Sequence, residues 1–260
     1  MTKEKISIVK IGGNIIEDEN ALKQFLQLFS KLAGKRILIH GGGKRATQFA
    51  SKLGITSKMI DGRRITDKET LEVITMVYAG LVNKKIVAQL QAFETNAMGL
   101  TGADINSIQS EKRPVKEIDF GFVGDVKQVN HHGIDTLMTA GFTPVFCALT
   151  HDGNGQLLNT NADTIASQIA IGMSEIYTTT LYYCFELKGV LNDFEDKESV
   201  IQKIDSKTYK ELLAAGTISA GMLPKLENCF DALQKGVAEV RIGNTSLFSE
   251  KNNLHTTIAL

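Results

Sequence analysis

Two glycine turns and the cations beside them are the residues of this chain with the most chemistry to offer. The first apolar run ends in VKIGGN (9–14), which sets Lys10 among the last strand residues and Gly12 and Gly13 at the turn. The second ends in HGGGKRAT (40–47), where three glycines precede a helical pattern. Glycine lets backbone amides approach an anion closely, and amides at the start of a helix point its positive end at one spot. A single glycine turn serves tight packing equally well, but two at adjacent strand ends make a phosphate cradle. Neither is a Walker A loop, because Lys44 is followed by Arg45 and no glycine stands five positions before it. The first turn also lacks the GxGxxG of dinucleotide-binding folds.

Composition says that any phosphate recognition is local. The 260 residues carry 29 Lys plus Arg and 29 Asp plus Glu, so no net field draws nucleic acid, an anionic membrane or a polyanionic partner. Cys147, Cys184 and Cys229 are odd in number, lie in apolar stretches and show no CxxC spacing, which points to neither a disulfide framework nor a zinc site. A reducing, cytoplasmic setting fits these thiols. No apolar signal core follows Met1, and no run of about 18 apolar residues occurs.

The elements that must hold these turns alternate. Apolar runs at 6–11 (ISIVKI), 36–40 (RILIH) and 143–150 (TPVFCALT) read as buried strands. Residues 19–33 place Leu22, Phe25, Leu26 and Phe29 at helical spacing, and 44–53 continue that pattern after the glycines. Strand, glycine loop and helix in succession predict an α/β fold with an open, mainly parallel sheet. Residues 111–130 are charged and glycine-punctuated, and predict a hairpin excursion on the sheet edge. The stretch 67–91 predicts a helix for core or subunit contact, and His131 and His132 a boundary between hairpin and helix. The chain reads as one domain, with a change of lobe near residue 175.

The order VKIGGN, HGGG, DGRRIT (61–66), GLTGADIN (99–106), GFVGDV (121–126), LLNTNADTIA (157–166) and GMLPK (221–225) resembles the N-acetylglutamate kinases of the amino acid kinase family, over nearly the whole chain. The resemblance implies a three-layer αβα sandwich, with the acyl amino acid bound by the N-terminal lobe (about 1–175) and ATP by the C-terminal lobe (about 176–260). It implies direct in-line transfer of the terminal phosphoryl group of ATP to the side-chain carboxylate of N-acetyl-L-glutamate. N-succinylglutamate is an alternative acceptor, and a non-catalytic metabolite sensor on the same frame a reading from another class.

By that resemblance Lys10 stands on the acceptor side of the transferred group, Lys225 on the donor side, and Asp163 orients both. Arg64 takes the α-carboxylate, with Arg63 beside it as a second guanidinium; Asn159 and the amides of Gly42 and Gly43 contact the acceptor, and Gly12 and Gly13 face phosphate. Gly189, Val190 and Leu191 match the family's nucleotide segment, although Glu186 stands where Asp is usual. Lys188 adds a candidate phosphate contact, and Ile218 and Ser219 lie in the loop before Lys225. Magnesium is expected on the nucleotide phosphates, without a dedicated carboxylate cluster. A two-fold homodimer is expected through the 67–91 helix, as is insensitivity to arginine, since relatives that arginine inhibits carry a helix ahead of the first strand.

Overall fold

The computed structural model describes residues 3–60, 62–193, 195–214, 222–248 and 254–260. In chain order the elements are β1 (Lys5–Ile11), α1 (Gly13–Glu17), α2 (Glu19–Ser30), β2 (Lys35–His40), α3 (Gly43–Lys52), β3 (Met59–Ile60), β4 (Arg63–Arg64) and α4 (Lys68–Thr75). A π-helical segment (Met76–Val82) joins α4 to α5 (Asn83–Ala92). Next come β5 (Ala97–Leu100), β6 (Ile108–Lys112), β7 (Gly124–Val129), α6 (His131–Thr139), β8 (Thr143–Cys147), β9 (Leu149–His151), β10 (Leu157–Asn159) and α7 (Ala162–Ser174). The chain closes with β11 (Thr178–Cys184), β12 (Lys203–Ile204), α8 (Ser206–Ala214), α9 (Leu223–Gln234), β13 (Glu239–Gly243) and β14 (Thr256–Ile258).

An eight-stranded sheet in the order β12-β14-β13-β11-β1-β2-β8-β5 forms the middle layer, parallel throughout except for the β13–β14 pair. Its central strands are apolar on both sides: Ile8, Val9, Ile37, Leu38, Val145 and Leu181 are all fully buried, as a parallel sheet covered on both faces requires. Helix α7 lies across β11, β1 and β2 and is backed by α9 and α6, while α2 packs on α5, which covers β5 and β8. The predicted three-layer α/β fold is present. Strands from β11 onward fill one half of the sheet, and β1, β2, β5 and β8 the other.

The helical spacing of 19–33 translates directly. In α2, Leu22, Phe25, Leu26 and Phe29 turn inward, and Asp18 caps the helix by accepting from the amides of Asn20 and Ala21 at 2.9 Å. The run 143–150 instead divides into β8 and β9, which belong to different sheets. The hairpin predicted at 111–130 exists as β6 and β7, but it does not extend the main sheet. It belongs to a separate four-stranded sheet, β10-β9-β6-β7, seated on α7, where Gly172 leaves room for Val129. Short-range patterning marks a hairpin but not which sheet receives it. His131 and His132 open α6, capped by Asn130, at the expected boundary. Among the described residues no helix is long and apolar enough to cross a membrane.

The tip of the hairpin excursion clasps the loop after β4. Thr66 donates its amide to Phe120 O at 2.9 Å and accepts at its carbonyl from Phe122 N at 2.7 Å. Gly121 sits between them at φ +69°, where a Cβ would lie 2.2 Å from Thr66 O. Gly121→Ala is therefore expected to lower stability by about 1–3 kcal/mol, measured by urea unfolding; a variant as stable as the parent contradicts this account of the clasp.

Candidate active site

The C-terminal ends of β11, β1 and β2 lie side by side, with Cys184, Ile11 and His40 level in register. Lys10 is one residue back from the end of β1, and its ammonium lies 2.7 Å from Asp163 Oδ1. Lys225, in the first turn of α9, donates to Asp163 Oδ2 at 3.0 Å. One carboxylate thus receives two lysines drawn from opposite ends of the chain, an arrangement the resemblance implied. The Lys225 contact is an aligned hydrogen bond. The Lys10 contact is a close ion pair outside hydrogen-bond alignment, and Oδ1 has no other donor.

Asp163 owes its place to α7. Asn161 caps that helix by accepting from the amides of Asp163 at 2.7 Å and Thr164 at 3.2 Å, and Tyr183 donates its hydroxyl to Asp163 O at 3.0 Å. An acid in the first turn also suits the helix dipole, so the structural and the site roles coincide. Lys225 lies over the rings of Tyr183 and Phe185, 5.2 and 5.9 Å from their centroids, within cation–π range. Burial alone would raise the Asp163 carboxyl, but Lys10 and Lys225 outweigh it and hold it well below the usual carboxylate range. Burial lowers the Lys10 ammonium below the ordinary lysine value, opposed by Asp163 and assisted by Lys225.

On the β2 side, Arg64 is 8% exposed and reaches the second glycine turn. Its Nη2 donates to Gly43 O at 3.0 Å and Thr47 Oγ1 at 2.8 Å, and its Nη1 to Ser57 Oγ at 2.6 Å. Arg63 is exposed and lines a cleft of about 610 Å³ with Arg113, Lys116 and Phe120. Of the two guanidiniums, Arg64 is the one at the glycine turn. Asn159 donates to Thr66 Oγ1 at 3.0 Å, joining β10 to the segment that carries Arg64 and leaving its side-chain oxygen for other partners.

Gly42 caps α3 at φ +155°, and a Cβ there would come 2.9 Å from the Tyr78 ring. Tyr78 comes from the π-helical segment, which sequence periodicity read as ordinary helix. The residue just after that segment, Asn83, opens α5 and is 1% exposed; its Nδ2 donates to His40 Nε2 at 3.0 Å and Val145 O at 2.9 Å. His40 Nδ1 must then donate to Gly41 O at 2.7 Å, so the imidazole is neutral and props the turn. Burial pushes its pKa down to about 4.

The pattern of the amino acid kinase family matches residues 5–244. The chain belongs to that family. It is 54% identical over 256 residues to an acetylglutamate kinase of Cytophaga hutchinsonii, covering 98% of this chain and 97% of that one. It is 56% identical over 240 residues to an acetylglutamate kinase of Bacteroides fragilis strain ATCC 25285, covering 92% of each. Among solved structures, smu.665 of Streptococcus mutans UA159 superposes with a TM-score of 0.78 at 25% identity, covering 98% of both chains.

The family's remaining site positions distribute unevenly. Gly12 donates its amide to Cys184 O at 2.8 Å, continuing the β1–β11 ladder, so this amide is not free for phosphate as expected; Gly12 instead lets the chain pass Phe185, whose Cβ would lie 3.3 Å from an added methyl. Gly13 has nothing within 4 Å of its Cβ position and is open on that side. Lys188 pairs with Glu198 on the surface, with contacts of 2.5 and 2.6 Å. Val190 and Leu191 turn their side chains into the core, so only their backbone is left to meet a ligand. Gly189 is required because a Cβ would stand 2.6 Å from both Thr256 Oγ1 and Val200 Cγ1. Ile218 and Ser219 lie outside the described residues.

His40 supplies a pH signature. The unfolded imidazole titrates near 6.5 and the folded one only near about 4, so between those values the unfolded chain takes up a proton that the folded chain refuses, and stability falls as pH falls. Urea unfolding from about pH 7 to 4 checks this: the slope is expected in the parent and reduced in His40→Gln, and an unchanged slope contradicts it.

Proposed function

We propose that this chain transfers the terminal phosphoryl group of ATP to the side-chain carboxylate of N-acetyl-L-glutamate. The observation that carries the reading is the bridge of Lys10 and Lys225 through Asp163, at strand ends that also present Gly13 and Arg64. Its chemical class is supported by membership of the amino acid kinase family, and its acceptor by the acetylglutamate kinases to which the chain is similar. A carboxylate acceptor is already ionised at neutral pH, so no general base is needed. What the reaction requires is alignment and fixed positive charge on oxygens whose charge redistributes in the transition state.

In this reading an acceptor carboxylate oxygen attacks the terminal phosphorus in line, and the bond from that phosphorus to the bridging oxygen breaks to release ADP. Lys10 counters charge on the acceptor side and Lys225 on the leaving side, while Asp163 keeps the two ammonium groups from moving apart. Arg64 offers its remaining donors to the α-carboxylate, and Asn159 its side-chain oxygen to the acyl amide. The N-terminal lobe, about residues 1–175, takes the acceptor, and the C-terminal lobe takes the nucleotide. Among the described residues no group of three or more His, Cys, Asp or Glu is arranged to hold a metal; magnesium would be held by nucleotide phosphates, where it offsets their charge.

A coupled ADP-release assay with N-acetylglutamate, N-succinylglutamate, glutamate and aspartate tests the assignment. Turnover is expected with N-acetylglutamate, and turnover confined to another acceptor overturns it. Lys10→Met and Lys225→Met are each expected to lower kcat by about a hundredfold or more with KM changed far less, and a loss confined to KM speaks against transition-state roles. We also assign a homodimer to the α4–π–α5 face, where Met76 is 58% and Leu81 39% exposed. Sedimentation is expected to show a dimer that Met76→Asp with Leu81→Lys weakens; a monomeric parent excludes it.

A further inference from the structure

Three side chains to which the proposed reaction gives no role form a hydrogen-bonded chain across the site. Just past the level ends of β11, β1 and β2 stand Glu186, Asn14 and Lys44. Asn14 Nδ2 donates to Glu186 Oε1 at 2.5 Å, and Lys44 Nζ donates to Asn14 Oδ1. An ammonium only donates and a carboxylate only accepts, so the carboxamide between them can sit only one way round. With neighbouring strands about 4.8 Å apart, the chain crosses all three strand ends. The middle strand is the one that carries Lys10.

The charges are unevenly matched. Lys10 and Lys225 share Asp163, but the acceptor held by Lys44 is a neutral amide oxygen, and among the described residues Lys44 makes no ion pair. Asn14 adjoins Gly13, whose Cβ side is open, so the ammonium is parked beside the space that the transferred group would occupy. The bond to Asn14 is already charge-assisted by the ammonium, but a phosphate oxygen brings an opposite charge as well and so adds a Coulomb attraction that a neutral amide oxygen lacks. A bound triphosphate therefore outcompetes the Asn14 amide for this ammonium.

Resting on the phosphoryl-transfer reading above, we propose that Lys44 is a third cation of the reaction, handed from Asn14 to the terminal phosphate of the bound nucleotide, with Glu186 fixing the orientation of Asn14. Lys10 and Lys225 then flank the transferred group from the β1 and α9 sides, and Lys44 meets it from the β2 side. Lys44 is exposed, so its replacement leaves the fold intact.

The test titrates a non-hydrolysable ATP analogue and ADP, each with magnesium, into the parent, Lys44→Met and Lys44→Arg, followed by calorimetry. Because only the analogue has a terminal phosphate, Lys44→Met is expected to weaken it about tenfold or more while ADP affinity stays within about twofold, and Lys44→Arg to restore much of the loss. In the ADP-release assay, kcat of Lys44→Met is expected to fall about ten- to a hundredfold. Unchanged analogue affinity, or an equal loss for ADP and analogue, overturns the proposal. If Lys44→Met does not fold, Lys44→Gln takes its place in the same titration. The titration needs no turnover, so a parent inactive toward every acyl glutamate strikes the functional reading and leaves this comparison standing.

Discussion

One buried carboxylate is the constraint on which the site depends. Two ammonium groups from distant parts of the chain would separate if nothing held them, and Asp163 gives each its own oxygen. Leaving either lysine without this partner would set a partly exposed ammonium, its side chain 13% (Lys10) or 15% (Lys225) accessible, uncompensated beside another cation. The carboxylate in turn stays where it is because Asn161 fixes the start of α7 and Tyr183 holds the backbone of the same residue. The arrangement is therefore a statement about three elements at once. β1 supplies one cation, α9 the other, and α7 the anion that makes their approach tolerable.

The β2 side of the site is held by shape rather than charge. Gly42 and the Tyr78 ring are in contact closely enough to forbid a Cβ, and the neutral His40 hangs between a turn carbonyl and Asn83. Arg64 then reads the position of that turn through Gly43 O. Loop, guanidinium and buried amide network form one connected support.

Much of this was visible in the chain itself. The strands ISIVKI and RILIH are apolar on both faces and end in glycine, which is a local signal, and the capped amphipathic α2 follows from spacing alone. Lys10, Asp163 and Lys225 were found through the order of short motifs, since nothing local in DTIA or GMLPK marks a partner across the fold. What stayed hidden depended on distant contacts. The amide of Gly12 is engaged by a carbonyl from β11, and Lys188 by a loop glutamate ten residues on. The side chains of Val190 and Leu191 turn inward because β14 lies behind them. The Asn14 bridge joins residues 30 and 172 positions apart, and only a parallel sheet brings them level.

The π-helical segment has a consequence for how this chain can change. Its wider winding accommodates one more residue than an α-helical path over the same length. Removing a single residue from Met76–Val82 would relax the winding to an α-helical path over the same length and leave the residues downstream in register. Asn83 would keep its place against His40, and what would be lost is the widened turn from which Tyr78 meets Gly42. A one-residue deletion here should therefore be better tolerated than one in α4 or α5, where no widened turn exists to absorb it.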